Sequence, residues 1–217
     1  MSVEDRSEAV NARRVYNATR RLERSREIHS RLLDAALKRF GEHGYAATTV
    51  ESIASDAGVS DATIYKTYGG KPGLVRALCL RALEGQGPVP AEQRSDALKR
   101  EQADPRRVIE GWGRLTAEVA PRVAPILLLL REAADGDPAA AALARELDDN
   151  RLARMTDNAR YLVDGGHVRA GVRLSHARDV LWTYSSPELF DLLVRRRHWS
   201  VRRYGRFVAD GIANALL

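Results

Sequence analysis

The sequence predicts an all-α chain in which a small three-helix amino-terminal domain precedes a larger helical one. Three observations carry this. Apolar and polar residues alternate at period two only briefly and rarely, so no strand pattern persists. Apolar residues recur instead at spacings of three and four, as one face of an α-helix requires. Gly, Pro and Asp-Gly clusters punctuate that pattern where helices need to end. The 217 residues, 44% hydrophobic and 29% charged, suffice for one large domain or for a small and a larger one with a sizeable core.

Residues 1–24 are polar with little apolar patterning and read as a flexible basic arm or a frayed helical extension. The first clear helix runs from about Arg26 to His43: Ile28, Leu32, Leu33, Ala36, Leu37 and Phe40 form one stripe, and Gly44 ends it. Thr49 caps a second helix through Val50, Ile53 and Ala54 to Ala57. Gly58-Val59-Ser60 makes a tight turn, and Ser60 caps a third helix from Asp61 to about Tyr68, with Asp61 suited to its positive end. Gly69-Gly70 breaks the chain, and Lys71-Pro72 opens a fourth helix. Residues 85–90 read as a linker, which sets the two domains at 25–86 and 87–217. Beyond it the pattern predicts helices at about 91–102, 105–119, 122–134, 138–164, 175–185, 187–197 and 200–216.

The formal net charge of +6 is compatible with nucleic acid without demanding it. Six arginines against four acids give residues 1–24 a net +2, residues 25–71 balance at six of each sign, and the remainder carries +4. Charge counted this way singles out no DNA-binding segment. Cys79 is the only cysteine, which excludes an intramolecular disulfide and argues against structural zinc; its apolar surroundings in sequence suggest a buried thiol. The amino terminus lacks an apolar signal core. The longest apolar run, Val123 to Leu130, is interrupted by Pro125 and is far shorter than the roughly 20 residues of a membrane span. The expectation is a cytoplasmic protein. No nucleophile elbow, phosphate loop, dinucleotide glycine motif or HExxH occurs, and His29, His43, His167, His176 and His198 lack ligand spacing. Neither an enzyme, a metal nor a cofactor is expected.

A helix, a glycine turn and a second short helix between Thr49 and Tyr68 form the helix-turn-helix pattern, whose second helix enters the major groove. Ile53, Ala54, Val59 and Ile64 are spaced to build the small core that fixes the interhelical angle. By pattern alone the same helices could meet with no nucleic acid involved. The stretch LLDAALKRFGEHGYAATT (Leu32–Thr49), the helix-turn-helix after it, and Lys71 together resemble the DNA-binding domain of the tetracycline-repressor-like (TetR) family across about residues 26–86. Further on, SPELFDLLV (Ser186–Val194) with WSVRRY (Trp199–Tyr204) resembles the end of the ligand-binding domain in some members.

The resemblance implies roles for particular residues. Thr49 would contact a phosphate, helped by the free N–H groups of its helix. Asp61, Ala62 and Thr63 would face base edges, Thr63 through its hydroxyl or by methyl contact with thymine. Tyr65 and Lys71 would hold phosphates, and Lys66 would serve backbone or bases. The family often carries His or Tyr at Thr67, Phe at Tyr68, and a cationic or small polar residue at Asp61. An acid at position 61 repels phosphate but can accept from a cytosine amino group. Thr67 is as readily a spectator as a contact, and Tyr68 belongs with the core. Arg13-Arg14 and Arg20-Arg21 either enter a minor groove or form a solvated tail.

Trp112, Met155, Tyr161, Trp182 and Tyr184 are the candidate lining of a pocket for a small apolar or amphipathic ligand, although each also suits an ordinary core. On the last helix Val201, Tyr204, Val208, Gly211, Ile212 and Ala215 share a face. With Leu189 and Leu193 from the preceding helix, the resemblance implies a four-helix homodimer interface; packing inside one chain is the other reading. The expected function is a repressor released from a palindromic double-stranded operator by a ligand. A helical scaffold without DNA binding is the alternative.

Overall fold

A computed structural model describes residues 3–84 and 89–217, with side chains from Thr19 onward. The described residues contain helices and turns and no strand, as the missing period-two pattern requires. The chain divides into two compact units, Met1–Leu74 and Val75–Leu217. The division falls inside a helix rather than in the stretch 85–90 expected to link the domains, of which 85–88 lie outside the described residues.

In the first unit α1 spans Val3–Ala47, interrupted where Gly44 takes φ 77°. The helix therefore begins far ahead of Arg26, and the segment expected as an arm continues it. Leu32, Ala36 and Phe40 lie along its buried face, and the buried Tyr45 ring stacks on Phe40 at 5.6 Å. Helices α2 (Val50–Ala57) and α3 (Asp61–Tyr68) follow, and α4 (Lys71–Glu84) carries the chain from the first unit into the second. Ile53, Ala54, Ala57 and Ile64 are buried and close this small core. Arg39 on α1 grips Asp56 on α2 with two hydrogen bonds of 2.5 and 2.7 Å.

The second unit holds the rest of α4 and helices α5 (Ala91–Glu101), α6 (Pro105–Ala133), α7 (Pro138–Asp164), α8 (Leu174–Tyr184), α9 (Pro187–Phe190) and α10 (Val201–Leu216), with a π-helical turn at Asp191–Arg196 after α9. Helix α6 runs unbroken through Pro121 and Pro125, where two helices were expected. An interior proline costs about 3 kcal/mol, and here the long apolar face of α6, with Val108, Ile109, Trp112, Ala120 and Ala124 in the core, offsets it. Cys79 is buried, and burial pushes its thiol up to about 12. No helix among the described residues is long and apolar enough to cross a membrane.

Helices α6 and α10 cross at a pair of glycines. A Cβ on Gly113 would lie 2.5 Å from the Gly205 carbonyl and 2.8 Å from the Ala209 Cβ. Only glycine lets the two backbones approach this closely. Ion pairs tie the remaining helices around them. Arg94 of α5 holds Glu118 of α6 at 2.7 and 2.8 Å. Arg154 of α7 meets Asp96 of α5 at 2.8 Å, and Arg131 of α6 meets Asp148 of α7 at 2.7 Å.

Candidate nucleic-acid interface

Two short helices with well-formed ends present the expected residues. Thr49 stands in extended conformation ahead of α2, and its hydroxyl accepts from the Ser52 N–H at 3.1 Å. Beside it Glu51 lies below the usual carboxylate range, held by its own backbone N–H and then by the Thr49 hydroxyl. At the other end Gly58, with φ 66°, reverses the chain, and the Val59 N–H donates to the Ala54 carbonyl at 3.0 Å. This left-handed step is what glycine supplies at a helix end.

Ser60 then caps α3: its hydroxyl accepts from the Thr63 N–H at 3.3 Å and lies 2.9 Å from the Thr63 hydroxyl. Ile64 is fully buried beneath the helix. Asp61, Ala62, Tyr65, Lys66 and Thr67 are exposed, Tyr65 by 54%. Capped at both ends and anchored beneath by Ile64, α3 leaves these five residues open to solvent.

Two expected contacts, Thr63 and Lys71, have other engagements, as does Tyr68, which was expected with the core. Thr63 is half-buried, and its hydroxyl is engaged by the Ser60 hydroxyl of the cap. Lys71 is half-buried: its ammonium donates to the Tyr45 carbonyl at 3.0 Å and sits 4.4 Å from the centre of the Tyr45 ring. An ammonium has three donors, so the geometry still leaves room for a phosphate. The Tyr68 hydroxyl lies 2.9 Å from His29 Nδ1, which ties the end of α3 to α1. No apolar spacing announces this last pair, and sequence reasoning does not find it.

Four of the five sensor candidates, Trp112, Met155, Tyr161 and Tyr184, lie in or against the second unit's core. Trp112 is buried in the second unit's core and meets Tyr161 edge-on at 6.3 Å, and Met155 packs against the same core. Trp182 lies under the Arg151 guanidinium at 4.5 Å, and Tyr184 meets Phe207 at 5.9 Å. A cleft of about 410 Å³ opens between α5 and α6, lined by Ala97, Leu98, Leu115, Arg94, Arg114 and Glu118 among others and by none of the five.

Part of the expected dimer face is already covered within the single chain. Tyr204, Val208 and Ile212 are buried within the single chain, Tyr204 completely, so this side of α10 closes the second unit's core. Leu189, Leu193 and Ala215 pack against that same core, and Gly211 is filled by the Tyr184 ring. The large apolar residues left exposed here are Leu192, by 51%, and Phe207, by 37%; Trp199 stacks edge-on against Phe207 at 5.5 Å.

Comparison with known proteins agrees with this architecture. The model of a family described as bacterial regulatory proteins, tetR family, matches residues 32–78, which contain both short helices. A curated relative, the uncharacterized HTH-type transcriptional regulator YvkB of Bacillus subtilis, is 38% identical over 74 residues; these are 34% of this chain and 39% of that protein. The match thus spans about two fifths of the relative's length. Among solved structures, the fatty acid degradation regulator FadR from Bacillus halodurans superposes with a TM-score of 0.68 at 17% identity, over 86% of this chain and 94% of that one. A TetR-family regulator from Syntrophomonas wolfei gives 0.68 at 18%, over 88% and 96%. A complex of SmeT with triclosan gives 0.67 at 22%, over 88% and 91%.

Proposed function

We propose, because residues 32–78 match the model of the tetR family of bacterial regulatory proteins, that this chain is a DNA-binding transcriptional repressor that a small molecule releases from a palindromic operator. The observation that carries this reading is α3: capped at both ends, anchored by buried Ile64 and by the Tyr68–His29 contact, and exposing Asp61, Ala62, Tyr65, Lys66 and Thr67. Such a helix fits the major groove with its first residues on base edges, while Thr49 at the start of α2 braces it on the backbone.

One eight-residue helix carries little specificity, so two copies reading half-sites roughly 34–36 Å apart, or a multiple of that, are needed. The exposed pair Leu192 and Phe207 supports a homodimer closed through the α9–α10 region. The relative SmeT was solved with triclosan, which supports a small apolar or amphipathic ligand within the second unit. Trp112, Met155 and Tyr161 would then line the path that opens as the core loosens. Helix α4 is the link for regulation. Arg76 pairs with Glu146 of α7 at 2.6 Å, and the Ala82 carbonyl accepts from Arg122 of α6 at 3.2 Å, so movement of α6 or α7 reaches α4.

Selection from sheared genomic DNA with the full-length protein tests the reading. Enrichment of one palindromic sequence is the expected result. No enrichment above a protein-free control would favour the helical scaffold.

A further inference from the structure

We propose that residues 13–31 of α1 form a second nucleic-acid contact, a helical arm that binds the phosphate backbone of duplex DNA beside the groove entered by α3. This rests on the reading of the protein as a DNA-binding regulator and adds a surface that reading does not use.

The first observation is a deficit. Residues 49–71, which span α2, α3 and Lys71, carry Glu51, Asp56 and Asp61 against Lys66 and Lys71, a net charge of −1. Duplex DNA carries about one negative charge per 1.7 Å of axis, and neutralising phosphates supplies most sequence-independent affinity. With Asp56 already paired to Arg39, this segment offers only Lys66 and Lys71 as cations for phosphates. The second observation is where the charge lies. Residues 13–31 hold seven arginines and two glutamates, a net +5 out of +6 for the whole chain. Windows of residues 1–24 and 25–71 hide this cluster, because it straddles their border and acids flank it on both sides.

The fold gives the cluster a shape and a position. It lies on the continuous helix α1, and Arg20, Arg21, Arg24, Arg26 and Arg31 are all exposed. At about 100° per residue Arg20, Arg24 and Arg31 fall within roughly 40° of one another, with Arg21 and Arg26 to either side. The side chains of Arg13 and Arg14 lie outside the described residues. Helix α1 passes the carboxyl end of α3 where His29 meets Tyr68, so its earlier residues run on beyond the recognition helix. At ~1.5 Å per residue, Arg21 stands about 12 Å past that contact and residue 13 about 24 Å past it. Leu22 is 61% exposed, so the first unit does not cover this stretch. A rigid, strongly basic rod in the same unit as α3, leaving from its end, matches the charge of the duplex flanking the site. A groove-bound helix with Lys66 as its one cation gains from such a partner surface, and basic arms elsewhere contact DNA beside a main site.

Fluorescence anisotropy of the full-length protein on its selected operator, titrated with salt, tests the arm. The variants are R20Q/R21Q/R24Q and, as the conservative rescue, R20K/R21K/R24K. The glutamine variant is expected to bind at least about tenfold more weakly at 150 mM salt, equally on operator and shuffled DNA. Its log–log salt slope should be shallower by about 2–3, at about 0.9 for each phosphate no longer neutralised, and lysine should restore it. Shortening the duplex to the two half-sites should erase the difference between the proteins. An unchanged slope with wild-type binding intact overturns the arm while sparing the regulator. A change in sedimenting mass at constant slope also overturns it, assigning the surface to a second copy. Failure of the wild-type protein to bind any DNA brings down both readings.

Discussion

Replacing Gly113 with alanine sets two known effects against each other, and the geometry decides the sign. Helix propensity favours alanine in the interior of α6 by about 1 kcal/mol. Against that, the new Cβ would stand 2.5 Å from the Gly205 carbonyl and 2.8 Å from the Ala209 Cβ, and neither atom belongs to a side chain that can swing away. Reaching an ordinary separation of about 3.4 Å requires α6 and α10 to move apart by roughly 0.9 Å, a gap that forfeits a quarter to a half of the dispersion attraction across it. Overpacking of this kind costs about 1–3 kcal/mol, and two immobile backbones put it at the upper end. The net loss is about 2 kcal/mol. All three tryptophans, Trp112, Trp182 and Trp199, lie in the second unit, so their fluorescence in urea reports that unit alone. With a slope of about 2 kcal/mol per molar, the midpoint should fall by about 1 M. Gly136, whose added Cβ would meet nothing within 4 Å, is the control and should move it little. Equal midpoints for the two variants would show that the helices do not cross at this distance.

Four further outcomes follow. Thr63→Ala should cost about 1–3 kcal/mol on the preferred operator and leave the salt slope alone; a loss of the same size on every sequence would remove Thr63 from base readout. Lys71→Ala should weaken all sequences alike and lower the salt slope by about one, whereas sequence-selective loss would contradict a phosphate role. Leu192→Glu should weaken self-association at least about tenfold in sedimentation experiments while tryptophan-reported stability holds, because Leu192 is 51% exposed in the single chain and burial of a leucine is worth about 1.5–3 kcal/mol; an unchanged mass would place the dimer contact elsewhere. Asp96 is held at about 2, below its ordinary 3.8, chiefly by its hydrogen bond from Arg154 and then by that from Lys99. A carboxylate depressed on folding stabilises the protein above its unfolded value and loses that contribution as pH falls toward the folded one. Stability of the second unit should therefore drop between about pH 4 and pH 2, and Asp96→Asn should flatten that drop; an identical acid limb in the variant would clear Asp96 of the effect.

The helix-turn-helix was legible because its signals are local. Thr49, Gly58, Ser60 and Gly69 each fix a helix end through hydrogen bonds or a backbone angle set within four residues, and α2 and α3 begin and end where those residues stand. What depended on distant partners was not legible. Pro121 and Pro125 mark a break by every local rule, yet the apolar face of α6 holds the helix together against its neighbours. The stripe of Tyr204, Val208 and Ile212 is apolar as its spacing predicts, but periodicity cannot say whether the cover comes from the same chain or another. Here α6 supplies it. Residues 1–24 lack an apolar stripe and so gave no helical signal, although nothing in their composition opposes continuation of α1. The Tyr45 carbonyl that engages Lys71, 26 residues away, arises only once the chain has folded.

The separation of charge from shape in the first unit bears on how a ligand could control the protein. If α3 supplies discrimination at about 1–3 kcal/mol per base read and the basic stretch of α1 supplies attraction indifferent to sequence, a ligand need not abolish both. A coupling free energy of 1–3 kcal/mol, the ordinary range for linked sites, changes affinity by about 5–150-fold and equals what a single base pairing with a side chain contributes. Movement of α6 or α7 transmitted to α4 through Arg122 or Glu146 would have to misplace α3 only slightly within its groove. The arm, which leaves from the carboxyl end of α3 and reads no bases, would continue to hold the protein near DNA. Released from its operator in this way, the regulator would remain bound to the duplex at large, and adding inducer should reduce discrimination between operator and shuffled DNA far more than it reduces the salt slope.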